Sequence, residues 1–180
     1  GTLQPRKNLV GLLRAYARMG ARVDAPLVVA GGKGWMYEPV FNEVRALGVE
    51  DRVIFAGYAD PEDLPLWYSA ATVFVYPSLY EGFGLPVLEA MACGAPVITS
   101  DTSSLPEVAG DAALLVDPRD VDALAAAIER LMGDATLRAE LRERGLARAR
   151  EFSWERTARE TATVYRAACD AGRVEERSEV

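Results

Sequence analysis

Apolar residues in this chain gather into five short continuous runs, each closed by turn-forming residues. Residues 26–30 (PLVVA) end in Gly31-Gly32, 52–56 (RVIFA) in Gly57, 72–76 (TVFVY) in Pro77-Ser78, 95–99 (APVIT) in Ser100-Asp101, and 112–116 (AALLV) in Asp117-Pro118. Such continuous, β-branched-rich runs predict strands of a parallel sheet, buried on both faces. Between them the spacing becomes helical. Leu9, Leu12, Leu13 and Tyr16 share one face, and Val121, Leu124, Ile128 and Leu131 share another. Local signals agree. Asp117-Pro118 reads as an N-cap with Pro at the first helical position. Ser104 and Glu107 have capping-box spacing. Gly133-Asp134 closes one helix and opens the next, and Ser153 caps a last helix running to about Ala171. Alternation of strand and helix, without repeat or linker, predicts a doubly wound α/β domain with helices on both faces of a parallel sheet. Its expected bounds are 1–172, with a charged, frayed tail at 173–180. The chain opens in a turn leading into a helix that no strand feeds. The first strand is therefore expected to be truncated and the natural protein to continue upstream.

Composition narrows the chemistry. With 180 residues, 50% of them hydrophobic and 26% charged, the chain can build a core and has no disordered composition. A net charge of −7 argues against nucleic acid as a partner. No apolar run approaches the roughly 20 residues of a membrane-spanning helix, and no signal peptide is visible. Cys93 and Cys169 lie far apart in sequence and are expected to be reduced thiols in a cytoplasmic protein. The absence of histidine excludes a Ser-His-Asp triad, a Cys-His dyad and a His-ligated zinc within this chain. Carboxylates, Lys, Arg, Tyr, Ser and backbone groups remain.

Ligands of open α/β sheets bind beyond the carboxyl ends of the strands. Of the segments expected there, 81–89 is the most informative: Glu81-Gly82-Phe83-Gly84-Leu85-Pro86-Val87-Leu88-Glu89. Two carboxylates flank a glycine-containing turn that opens a helix. Gly82 and Gly84 let the backbone approach a ligand, and the helix N-terminus favours an anion near Gly84 and Leu85. A sugar, a diphosphate and a ribose in a row would fit that layout. Taken alone, Glu89 is equally well explained as complementing the helix dipole. Arg6-Lys7 sits at an expected helix start, where the dipole disfavours cations; a phosphate would offset this, and a solvated basic pair is the plain alternative. Tyr58, after Gly57, is placed to face a nucleobase or to pack. Trp67 and Tyr68 read mostly as core, Cys93 as buried packing, and the Arg/Glu-rich helix at 137–150 as a salt-bridged solvent face.

Together these segments resemble the C-terminal, donor-binding half of a retaining glycosyltransferase of the GT-B fold, in the glycosyl transferases group 1 family. The resemblance is carried by the opening Gly1-Thr2-Leu3-Gln4-Pro5-Arg6-Lys7-Asn8-Leu9, by the runs ending in Gly31-Gly32 and Gly57-Tyr58, by Pro77-Ser78-Leu79-Tyr80-Glu81-Gly82-Phe83-Gly84-Leu85-Pro86, by Leu105-Pro106-Glu107, and by Phe152-Ser153-Trp154. It covers nearly the whole chain and implies a Rossmann-like sheet. It also implies that Lys7 contacts the donor diphosphate, that Glu81 holds sugar hydroxyls near the reacting end, and that Gly82, Phe83, Gly84 and Leu85 present backbone to the phosphate or sugar. Glu89 would grip the ribose hydroxyls, with Gly57 and Tyr58 near the base. No metal or other cofactor is implied. Many members carry an arginine directly after the first glycine, where this chain has Thr2. Either Arg6 substitutes, or an arginine is dispensable in this branch.

The activity implied is transfer of a glycosyl group, with retention, from a nucleotide-sugar to a saccharide or lipid acceptor, as in polysaccharide biosynthesis. GDP-mannose is the first expectation for the donor. The acceptor site would belong to an N-terminal domain outside this chain, so the isolated chain is expected to be inactive, and any membrane association would rest on that other half. The alternative is a nucleotide-sugar-binding module without transferase activity.

Overall fold

A computed structural model of the chain describes residues 1–178, with side chains through residue 170. All five apolar runs form strands: β1 (Leu27–Ala30), β2 (Val53–Gly57), β3 (Phe74–Tyr76), β4 (Val97–Ser100) and β5 (Ala113–Val116). They alternate with α1 (Leu9–Met19), α2 (Glu38–Leu47), α3 (Leu64–Ala70), α4 (Leu85–Ala92), α5 (Leu105–Ala109), α6 (Val121–Gly133) and α7 (Ala135–Ala149). These lie in a compact unit, Gly1–Ala149, and a second unit comprises Arg150–Val180.

All strand pairs are parallel and flanked by helices, as expected, and they run in two ladders. β1 pairs with β2, and β3, β4 and β5 pair in that order. Among the described residues no ladder hydrogen bonds join β1 and β2 to the other three strands. The link is instead the opening segment. Leu3 N–H donates to Gly32 O (2.9 Å), Gly34 N–H donates to Leu3 O (3.1 Å), and Leu79 N–H donates to Arg6 O (2.8 Å). Residues 3–6 thereby tie the loop after β1 to the loop after β3. Gly31 has to be glycine there: a Cβ would lie 1.7 Å from Gly1 O.

Helices cover the strands in two packed groups, α1 with α2 and α6, and α4 with α3, α5 and α7. β4 is buried along its whole length, with a strand on either side. Burying each of Val97 and Ile98 contributes about 1.5–3 kcal/mol. The helical faces read from the sequence are the buried ones: Leu12, Leu13 and Tyr16 in α1, and Leu124, Ile128 and Leu131 in α6.

Several local expectations change. Asp120, not Asp117, caps α6, its Oδ1 accepting from Ala123 N–H (2.9 Å); Asp117 instead holds the preceding turn by accepting from Arg119 N–H. Asp134 separates α6 from α7 and caps the latter through Leu137 N–H. The arginines of α7 do not mainly pair with its glutamates. Arg138 donates to the carbonyls of Leu131 and Met132, Arg142 to Gly94 O, and Arg148 to Glu107 O and Val108 O. α7 is a staple that closes helix ends and loops, rather than a solvated charged face.

The second unit consists chiefly of α8 (Trp154–Ser178). Ser153 caps it as read, accepting from Arg156 N–H (3.1 Å), and the helix runs past Ala171. Of the expected frayed tail, residues 179–180 lie outside the described residues.

Candidate functional site

Arg6 and Lys7 lie in a single tight turn, Pro5–Lys7, ahead of α1 rather than at its start. Asn8 then adopts a left-handed conformation (φ 54°), and its Nδ2 donates to Pro118 O (2.6 Å), which pins the turn. What offsets the lysine's charge in this structure is a carboxylate. Lys7 Nζ donates to Glu81 Oε1 (2.6 Å) and to the Tyr76 hydroxyl, and Arg6 Nη1 donates to Glu81 Oε2. Tyr76, the last residue of β3, donates its O–H to Glu81 Oε1 (2.9 Å). Glu81 is only 7% exposed. It points not into the apolar core but at the two cations of the opening turn.

The electrostatics follow from this geometry. Burial pushes the Glu81 carboxyl up, and the hydrogen bonds from Lys7, Arg6 and Tyr76 more than reverse it, with help from the nearby Ser78 hydroxyl. The result is about 2, so the group is ionised at neutral pH. Ser78 Oγ is wholly buried beside it without a well-aligned hydrogen bond. Burial, and after it the Glu81 contact, raises the Tyr76 phenol well above its ordinary range, so it remains a proton donor. Two cations around one carboxylate leave a net positive charge.

Gly84 caps α4 with a left-handed backbone (φ 109°), and a Cβ there would lie 2.7 Å from Leu105 Cδ2. α4 carries no side-chain cap, and Pro86 in its first turn has no N–H to satisfy. Leu85 and Phe83 are half exposed in front of this end. The expected capping box at Ser104 is not formed. Its hydroxyl faces the turn instead, reaching the carbonyls of Glu81 (3.0 Å) and Phe83 (2.8 Å), while Ser103 Oγ accepts from Glu81 N–H (3.1 Å). Residues 103–104 therefore fix the backbone of residues 81–83.

Glu89 is exposed one turn into α4, and the Tyr68 hydroxyl donates to its Oε2 (2.8 Å). The structure thus gathers Arg6, Lys7 and Glu81 beside the 82–85 turn, with Glu89 one turn further along α4. Gly57 and Tyr58 stand apart, at the end of β2. Gly57 O accepts from Gly31 N–H (2.7 Å), Tyr58 is 72% exposed, and neither makes a described hydrogen bond or ring contact to the Lys7–Glu81 cluster.

Two tyrosines escaped the sequence reading. Tyr76 was hidden inside an apolar strand run, although a strand's last residue lies at the rim where ligands bind. Tyr68 falls at a helical spacing that suits core, yet α3 buries no residue and Trp67 is 43% exposed. Cys93, expected to be buried, is half-buried. Among the described residues no cluster of His, Cys, Asp or Glu is placed to hold a metal, and no helix is long and apolar enough to cross a membrane.

Residues 1–148 match the family model described as glycosyl transferases group 1. The chain is 48% identical over 168 residues to O-antigen chain mannosyltransferase B of Escherichia coli, covering 92% of this chain and 44% of that protein. It superposes on sucrose-phosphate synthase from Thermosynechococcus elongatus with a TM-score of 0.84 at 36% identity, over 95% of this chain and 44% of the other. It also matches the C-terminal domain of LpcC from Francisella tularensis, a glycosyl transferase group 1 family protein, with a TM-score of 0.75 at 28% identity, over 84% and 82% of the two chains. The chain thus spans under half the length of the E. coli relative it matches. Its fold is the Rossmann-like C-terminal half of a GT-B glycosyltransferase, and the chain belongs to the glycosyl transferases group 1 family.

Proposed function

We propose that this domain binds the nucleotide-sugar donor of a retaining glycosyltransferase, with GDP-mannose as donor, a saccharide or lipid as acceptor, and polysaccharide synthesis in the cytoplasm as its setting. The observation that carries the reading is the cluster in which Lys7 and Arg6 converge on Glu81 at the mouth of helix α4, whose N-terminus no side chain caps. The sequence similarity to a mannosyltransferase supports the choice of mannose.

The mechanism follows from charge exchange. Without donor, Glu81 occupies both cations. Of the three Lys7 N–H bonds, one goes to Glu81 and one to Tyr76, which leaves a third for an incoming phosphate oxygen. Diphosphate draws Lys7 and Arg6 toward itself, and the Glu81 carboxylate becomes free to accept sugar hydroxyls. The backbone of Gly82, Phe83, Gly84 and Leu85 and the α4 N-terminus add fixed dipoles toward the phosphate. As the bond from anomeric carbon to phosphate oxygen breaks, charge grows on the diphosphate and Lys7 holds it; the acceptor hydroxyl attacks from the same face and passes its proton to the departing diphosphate oxygen. Charge stabilisation that strengthens as the bond breaks is the kind that accelerates the step. Glu89 takes the ribose hydroxyls, and Gly57 and Tyr58 line the approach to the base. No metal is needed in this scheme, because cations and dipoles of the chain meet the diphosphate. The acceptor is held outside this chain, so residues 1–180 alone bind donor without turnover.

Calorimetric titration of the full-length gene product with GDP, UDP and ADP and their sugars tests the assignment. Glu89→Ala is expected to weaken the nucleoside diphosphate itself. Glu81→Ala is expected to spare the diphosphate, since it releases Lys7 and Arg6, and to remove the additional affinity that the sugar brings. Equal losses for both ligands in both variants would overturn the two roles.

A further inference from the structure

We propose that Tyr68 is a positioning residue that holds the Glu89 carboxylate in the orientation needed to grip a vicinal diol. The proposal rests on the reading of Glu89 as the ribose-binding group and adds the device that makes this group selective.

Tyr68 sits half-buried on α3, a seven-residue helix with no fully buried residue. Its hydroxyl donates to Glu89 Oε2 (2.8 Å). Its ring meets Phe74 edge-on, with centroids 5.2 Å apart at 83°. Phe74 in turn stacks on Tyr76 at 6.0 Å and 18°, and Tyr76 donates to Glu81. A row of three rings from α3 and β3 therefore ends in one hydroxyl on each of the two glutamates. The anchoring is reinforced at the far end of α4, where the Ser69 hydroxyl reaches Cys93 O (3.4 Å) and Cys93 N–H donates to Glu89 O (3.0 Å).

An exposed glutamate samples many rotamers, and fixing it on a ligand costs side-chain entropy. A hydroxyl already bonded to Oε2 reduces that cost. It occupies one of roughly four lone-pair positions and leaves the rest of the carboxylate for two adjacent hydroxyls. The phenol is dependable in this role: burial, with Glu89 next, raises it far above its ordinary range, so it stays a donor at neutral and alkaline pH.

The test compares whichever of GDP, UDP and ADP binds most tightly with its 2′,3′-dideoxy counterpart, titrated against the full-length gene product and its variants. Tyr68→Phe keeps the ring against Phe74 and removes only the donor. It is expected to weaken the ribonucleotide about five- to tenfold, the order set by one ordinary net hydrogen bond, and to leave the dideoxy affinity unchanged. In the double variant Tyr68→Phe/Glu89→Ala the affinity should fall no further than in Glu89→Ala alone. Tyr68→Leu, which also lacks the hydroxyl, should reproduce the ratio and covers the case in which Tyr68→Phe fails to fold. A merely structural role would weaken both ligands together, and that result overturns the proposal. If Glu89→Ala collapses the ribo-to-dideoxy ratio while Tyr68→Phe preserves it, Tyr68 does not position Glu89 and the ribose assignment stands. If Glu89→Ala itself leaves the ratio intact, the ribose assignment falls and this proposal with it.

Discussion

Glu81 and Glu89 flank the same turn, eight positions apart, and live in opposite surroundings. Glu81 is buried, touched by Lys7, Arg6 and Tyr76, and held near a pKa of 2. Glu89 lies exposed on α4 with a single described side-chain partner, Tyr68. A carboxylate locked between two cations is suited to answering a change of charge, because its partners leave when a stronger anion arrives. A carboxylate held by one neutral hydroxyl is suited to geometry: it keeps its charge available and gains only an orientation. On the proposed reading, one end of the turn is an electrostatic device and the other a shape-reading one.

The largest expected effect separates the two ends directly. On the proposed reading, Lys7→Ala removes a donor aimed at charge that develops on the diphosphate. It is expected to lower kcat of the full-length enzyme about 10²–10³-fold, with a much smaller change in nucleoside diphosphate affinity, because Arg6 and the backbone donors remain. Glu89→Ala should show the reverse pattern, losing affinity more than kcat. Steady-state kinetics on both variants checks this, and matching kcat and affinity losses in the two would erase the distinction.

Acid probes the buried end on its own. The Glu81 carboxyl is near 2 in the fold against 4.5 in the unfolded chain, so the unfolded state takes up the proton first. The stability drawn from ionised Glu81 is complete above pH 4.5 and is lost as pH falls from about 4.5 through about 2. Glu81→Gln lacks this dependence. Its stability deficit relative to the parent, measured by denaturant unfolding, should be constant near neutrality and shrink across that window. A deficit that stays constant down to pH 2 would mean that the ion pairs do not hold Glu81.

How much of this was legible in the sequence divides along the same line. The strands were plain, because a core buried on both faces needs unbroken apolar runs, and all five appear where the runs are. The two glutamates and Lys7 were legible because glycine and charge at a strand's end have few structural uses. The partners of those residues were not. Tyr76 and Tyr68 sit in apolar runs, where an aromatic looks like core, and only the tertiary fold shows their hydroxyls turned to carboxylates. Ser104 misled for a related reason: its spacing to Glu107 suits a cap, but the 81–83 backbone lies closer and takes the hydroxyl. The split into two ladders was hidden as well, since which strand edges meet is decided by chain crossing rather than by pattern.

The smallest effect tests whether the two ends are mechanically separate. Ser104→Ala removes a hydroxyl shared between the carbonyls of Glu81 and Phe83 and leaves α4 itself untouched. The loss expected in unfolding free energy is about 0.5–1.5 kcal/mol. It should loosen the Glu81 side, so the affinity contributed by the sugar declines, while the preference for ribo- over dideoxynucleotide stays at the parent value. The reason is that Glu89 takes its orientation from α3, through Tyr68, and not from the turn. Should the ribose preference fall together with the sugar increment, the turn and the helix move as one body, and the contrast between a charge-answering end and a shape-reading end would describe only the resting structure.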